Sequence, residues 1–152
     1  MSVTTIAAKL ASIQGNITGI TKAFDLDEIP NTLHTAHLPA FVNVPGDAVH
    51  EAVSADMWRE TRTWYMLLFL TPVQRPFEVA QRMAVAAPFF ARVRSAFVAR
   101  PTLESLRYLE MATFRGDSGT TIPLVFGGTT YAGIEFRLET SELVDVSPTD
   151  YT

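Results

Sequence analysis

Thr61-Arg62-Thr63-Trp64-Tyr65-Met66-Leu67-Leu68-Phe69-Leu70 is the stretch on which the fold turns. Side chains alternate between the two sides of an extended strand, so Thr63, Tyr65, Leu67 and Phe69 share one face and Trp64, Met66, Leu68 and Leu70 the other. Both faces are apolar, which places this strand in the middle of a sheet covered on both sides. The run is far shorter than the roughly 20 residues that span a bilayer, so it reads as core.

The cover is legible on either side of it. Val79, Met83, Ala86, Phe90, Val93 and Phe97 recur at spacings of four and three, the stripe of a long helix lying on the sheet. Pro76 suits its first turn, where a missing N–H would be unpaired anyway. Pro88 inside the stripe predicts a kink or a break, Pro101 ends it, and Arg82, Arg92 and Arg94 mark the solvated side. Upstream, Val3, Ile6, Ala7, Leu10 and Ile13 predict a short amphipathic helix, capped by Thr4 or Thr5 and ended by Gly15-Asn16. Residues 17–24 and 38–44 read as strands, with the acidic turn Asp25-Leu26-Asp27-Glu28 between them and Pro45-Gly46 closing the second. From 47 to 60 no period dominates, which reads as a loop reaching outward.

Further strands are expected at 107–114, 122–126 and 131–140, separated by Gly116-Asp117-Ser118-Gly119 and Gly127-Gly128. The last alternates cleanly: Ala132, Ile134, Phe136 and Leu138 point one way, Tyr131, Glu135, Arg137 and Glu139 the other, so one sheet face is wet or charge-paired. The expected fold is α+β, a mostly antiparallel sheet packed by one long helix and a short N-terminal helix. It forms a single domain over residues 1–140, followed by an acidic C-terminal arm over residues 141–152.

Composition narrows the function. The chain has 152 residues, enough for a real core without metals or disulfides. Charged residues make up 18%, below the typical quarter, which suggests that a partner covers part of the surface. The absence of cysteine removes disulfides, thiolate nucleophiles and cysteine-based metal sites together. A net charge of -4, with no basic run, argues against nonspecific binding to phosphate backbones. Residues 1–6 show no basic region followed by an apolar core, so the expectation is a soluble chain made in the cytosol, with no membrane partner.

Gly116-Asp117-Ser118-Gly119 lacks the spacing of a nucleophile elbow and lies between strands instead of before a helix. Phosphate-binding glycine signatures do not occur. His34 and His37 are three apart, as two metal ligands on a helix would be, but no Asp or Glu follows closely to act as a third. Asp25, Asp27 and Glu28 lack the twelve-residue calcium-loop spacing and read as a solvated turn. Arg115-Gly116-Asp117 spells an integrin-recognition tripeptide, adequately explained by a hairpin turn. No catalytic residue, metal site or cofactor is therefore assigned. Trp58, Trp64, Phe89 and Tyr108 read as core or interface anchors. The rival class is a small α+β enzyme or ligand-binding domain, with a pocket beneath the long helix using His34, His37 or Glu110.

The order of parts resembles the tail terminators of long-tailed bacteriophages, the family that includes the lambda tail terminator. The resemblance rests on the short N-terminal helix, the Leu38-Pro39-Ala40-Phe41-Val42 strand, the strand at 62–70, the long helix ending near Pro101-Thr102-Leu103, and Gly128-Thr129-Thr130-Tyr131-Ala132-Gly133-Ile134-Glu135-Phe136. It covers most of residues 3–140. It implies a structural virion protein, not an enzyme, that forms a hexameric ring at the head-proximal end of the tail tube. Such a ring ends tube polymerisation and joins the tail to the head connector. The implied partners are other copies of the chain, the major tail tube protein, a head-connector or head-closure protein, and DNA that passes without specific binding. Glu135, Arg137 and Glu139 would lie near the lumen or a subunit interface, and Trp58 and Arg59, with the 47–60 segment, at ring or stacking contacts. Other neck proteins, such as head-closure or tail-completion subunits, share this length and α+β character.

Overall fold

Two long strands set the frame. β3 (Met57–Pro72) and β6 (Thr129–Asp145) pair antiparallel from Met57 opposite Asp145 to Pro72 opposite Tyr131. β2 (Ala40–Ala52) pairs antiparallel with the far side of β3, and β1 (Lys22–Phe24) joins β2 in parallel. The far side of β6 is shared: β5 (Ile122–Phe126) takes its beginning and β4 (Leu109–Asp117) its later part. Two α-helices, α1 (Val3–Gly15) and α2 (Val79–Val98), occur among the described residues. This computed structural model describes residues 3–73 and 79–145, so the expected helix start near Pro76 and residues 146–152 of the expected arm lie outside the described residues.

Three expectations are corrected. The fold is not a mostly antiparallel sheet packed by one long helix: it is a six-stranded mixed sheet with two helices. Of the strand expected at 17–24 only Lys22–Phe24 forms, and it runs parallel to β2. Parallel pairing needs a crossover of about a dozen residues or more, and residues 25–39, with 3-10 turns at Leu26–Glu28 and Thr35–His37, supply it. Nor can one helix cover the sheet. A helix is about 10 Å wide and strands lie about 4.8 Å apart, so a four-strand face needs two. The main core accordingly takes Ile6, Ala7, Leu10 and Ile13 from α1 beside Ala86, Phe89, Val93 and Phe97 from α2.

Of the kink or break expected at Pro88, no break forms, and α2 runs through it as one helix. Pro88 and Ala84, whose carbonyl loses its N–H partner there, are both exposed, so water can satisfy that oxygen. The third correction concerns residues 47–60, which are not a loop. They complete β2 and begin β3, leaving only residues 53–56 as the turn. A β-bulge between Pro45 and Ala48 inserts residues that break the alternation, which is why no single period runs through the segment. β6 likewise continues past Thr140 to Asp145.

The two apolar faces of β3 are both used. Trp64, Met66, Leu68 and Leu70 join the helix-side core with Phe41, Ile134, Phe136 and Leu138. On the other side Phe69 packs with Phe24, Leu33, Ala40, Val42 and Tyr131 in a smaller core. Trp64 is fully buried, and its indole N–H donates to Thr140 Oγ1 at 3.1 Å.

One polar contact ties α1 to the sheet. Gln14 and Asn43, both buried, exchange two hydrogen bonds: Gln14 Nε2 to Asn43 Oδ1 at 2.6 Å and Asn43 Nδ2 to Gln14 Oε1 at 2.9 Å. Each amide satisfies the other, and removing one strands its partner in the core. Gln14→Ala should therefore cost about 2–3 kcal/mol in urea unfolding, whereas the apolar pair Gln14→Leu with Asn43→Leu should cost clearly less than either single change. Additive single and double effects would show that the amides act independently.

Candidate functional site: an uncovered sheet face

Residues opposite one another across the sheet share a face, so the register defines surfaces directly. On the side away from the helices four cross-strand rows follow one another: Val44–Tyr65–Arg137–Gly116, Thr63–Glu139–Thr113, Val49–Thr61–Ser141–Met111 and Glu51–Arg59–Leu143. The helices contribute apolar residues only to the core on the opposite side, and the smaller core covers only the end near Phe69 and Tyr131. The rest of this face is uncovered among the described residues.

Its charges are held by partners within the chain. Arg115 Nη2 lies 2.8 Å from Glu139 Oε1, and Arg137 Nη2 donates to the Asp117 carbonyl at 3.4 Å. Arg59 Nε lies 2.7 Å from Glu110 Oε1, and its Nη1 3.6 Å from Glu51. Ser141 Oγ donates to Glu110 at 3.5 Å, and the hydrogen bond from Arg59 holds the Glu110 carboxyl below the usual range. Exposed pairs of this kind are each worth at most about 1 kcal/mol, so they fix side-chain positions more than they stabilise the fold.

Glu135, Arg137, Glu139 and Arg59 thus share one surface. Trp58 does not: it pairs across to Ala52 and Val144 on the helix side of the sheet, with its ring 6.1 Å from that of His50. His34 and His37 stack edge-to-face at 5.6 Å in the β1–β2 crossover, where His37 also meets Phe24. That is the side opposite the helices, not a pocket beneath α2. Glu110, at the other end of that face, is separated from Phe69 by about eight residues of strand, roughly 26 Å, so the three groups form no common site. Asp25, Asp27 and Glu28 do come together, with ligand oxygens within 4.8 Å of one another, but Asp27 and Glu28 are exposed. Asp25 and Asp27 border a 570 Å³ depression with Thr4, Thr5 and Ala8, which offers no base and nucleophile in reach of each other.

A second charged group was not foreseen. Phe136, Leu138, Thr140 and Glu142 continue one alternation on the helix side, so Glu142 is 3% exposed instead of lying in a solvated arm. It sits directly opposite Glu60, whose carboxylate is shared by Arg62 at 2.6 Å and His50 at 3.3 Å. Arg62 also donates to the Gly46 carbonyl at 2.9 Å. Glu142 Oε2 has no hydrogen-bond partner among the described residues. Burial, reinforced by Glu60, pushes the Glu142 carboxyl above its usual range, against a smaller opposing pull from Arg62.

No family model matches the chain, and no curated protein matches it. No helix among the described residues is long and apolar enough to cross a membrane.

The Glu142 shift has a definite sign. A carboxyl whose pKa is raised by folding binds its proton more tightly in the folded state, so stability falls as pH rises from the ordinary carboxylate range through the folded-state value. Glu142→Gln removes that loss. Its stability relative to wild type should therefore grow as pH is raised from 4 to 8 in paired urea titrations, and parallel curves would refute the shift.

Proposed function

We propose that this chain is a structural subunit of a long-tailed phage virion, a ring component at the head-proximal end of the tail tube that ends tube growth and meets the head connector. The observation that carries the reading is the uncovered face of the sheet. It presents Glu51, Glu110, Glu135 and Glu139 against Arg59, Arg115 and Arg137, nearly balanced and, Glu135 apart, fixed by internal contacts. A surface of this kind suits a lumen: it offers no cluster of free cations to hold phosphates, and its slight acid excess repels them. The succession of a short helix, a two-faced central strand, a long helix and a closing strand supports the same family resemblance.

A ring predicts that the purified chain, alone or with tail tubes, gives annular particles by negative stain and caps tubes at one end. Images with neither rings nor capped tubes would remove the reading. The lumen assignment has its own test. Glu135→Lys with Glu139→Lys turns this face from -1 to +3, counting the seven charged side chains named above. Rings should still assemble, because only the exposed Arg115–Glu139 pair is lost. DNA passage should slow, and added salt should relieve the block as the new phosphate contacts are screened. Passage at the wild-type rate would place these residues away from the DNA path.

A further inference from the structure

We propose that residues 101–108 are a strained cover on the outer edge of β4, and that its release lets this edge pair with β2 of a second copy. The inference rests on the ring reading and supplies its contact.

The strain is visible in the backbone. Leu103, Glu104 and Ser105 are consecutive non-glycine residues in the left-handed region, at φ 49, 63 and 63, and Tyr108 follows at φ 67. Each such residue is disfavoured, and a run of three persists only when its surroundings hold it. Leu103 is fully buried in the helix-side core, and the Ser105 N–H donates to Thr102 Oγ1 at 3.2 Å. The exposed Glu104 adds ion pairs to Lys9 and Arg100, at 3.4 and 3.3 Å. The segment has a specific position: the Pro101 carbonyl accepts the Ala112 N–H at 2.6 Å, occupying the edge of β4 that faces away from β6.

The partner follows from the sheet itself. Among the described residues, β2 beyond Val42 has no neighbour on its outer side, and no other strand pairs with the outer side of β4. β2, β3, β6 and β4 are successively antiparallel, so β2 runs opposite to β4. A head-to-tail neighbour would therefore present an antiparallel β2 to β4, and a repeated contact of this kind closes into a ring or propagates. Val49 and Met111 stand at the two ends of one row, Val49–Thr61–Ser141–Met111, and are 69% and 53% exposed. Continuing the row into the next copy sets Met111 beside Val49 and buries both. β2 carries Asp47 and Glu51 with no Lys or Arg, and the exposed Arg107 lies just before β4, whose own charges are Glu110, Arg115 and Asp117. Pro45 and the bulge after it confine pairing to residues 48–52.

The chain has no cysteine, so the contact can be read covalently in the full-length protein. Val49→Cys with Met111→Cys places two thiols at adjacent cross-strand positions of neighbouring copies, within disulfide reach. Under mild oxidation this variant should give a ladder of covalent oligomers on non-reducing gels, and each single-cysteine variant no more than dimers. Adding Glu104→Gly and Ser105→Gly relieves the cover's strain and should slow the ladder by about tenfold, while Leu103→Ala should speed it. Mass photometry on the same samples separates the failures. Oligomers without cross-copy disulfides overturn the edge contact and leave the ring. A ladder indifferent to the glycine changes overturns the cover. The absence of any oligomer, with or without tubes, overturns the ring and the contact together.

Discussion

The pairing of β3 with β6 is the constraint on which the rest of the molecule depends. It runs nearly the full length of both strands, and each has a further strand on its other side. Because side chains alternate, a slip of one residue would send Trp64, Met66 and Leu68 to the uncovered face and bring Thr63, Tyr65 and Leu67 under the helices. The register is fixed by contacts that cannot move together. Trp64 reaches Thr140 across the pair, and Asn43 on β2 is held by Gln14 on α1. Bulges take up the mismatch elsewhere: between Phe69 and Thr71 on β3, and at two places on β4. β6 can therefore serve β5 first and β4 later without losing its alternation against β3.

The two sides of this frame treat charge in opposite ways. On the helix side Glu60 is satisfied by Arg62 and His50, while Glu142 lies buried across from it with one oxygen unpaired. Burying an acid whose Oε2 has no hydrogen-bond partner among the described residues costs stability, and the protein meets that cost by favouring the protonated form. On the uncovered side Arg59, Arg115 and Arg137 each have an acceptor, and these groups stay largely in contact with water. The buried group therefore bears on stability, and the exposed groups bear on what the surface meets.

How much of this was legible depended on whether a single period ran unbroken. Residues 61–70 and 131–140 alternate without a bulge inside the decisive part, and their two faces could be assigned, including Glu135, Arg137 and Glu139 together. The α2 stripe was equally plain, although Phe89 and not Phe90 is the buried phenylalanine beside Pro88. Where the Pro45–Ala48 bulge shifted the phase, residues 47–60 looked structureless. Trp58 has the same parity as Trp64, so its helix-side position could have been read once the strand was known to extend that far. The parallel addition of β1 and the sharing of the core between two helices depend on sheet width and crossover length, which local periodicity does not encode.

Edges explain why such a sheet stays discrete. Long, well-paired central strands leave long outer edges, and an unprotected edge invites uncontrolled association. Here each edge is interrupted by a different device. β2 carries a proline, a bulge and acidic residues in one short stretch, and β4 has the Pro101 carbonyl against Ala112. The first is built into the strand and limits any outer pairing to residues 48–52. The second belongs to a neighbouring segment held in disfavoured backbone geometry, so its removal carries an offsetting gain. In the ring proposed above, an edge narrowed to a short stretch on one strand and covered on the other would let copies join in one sense only after the cover is released.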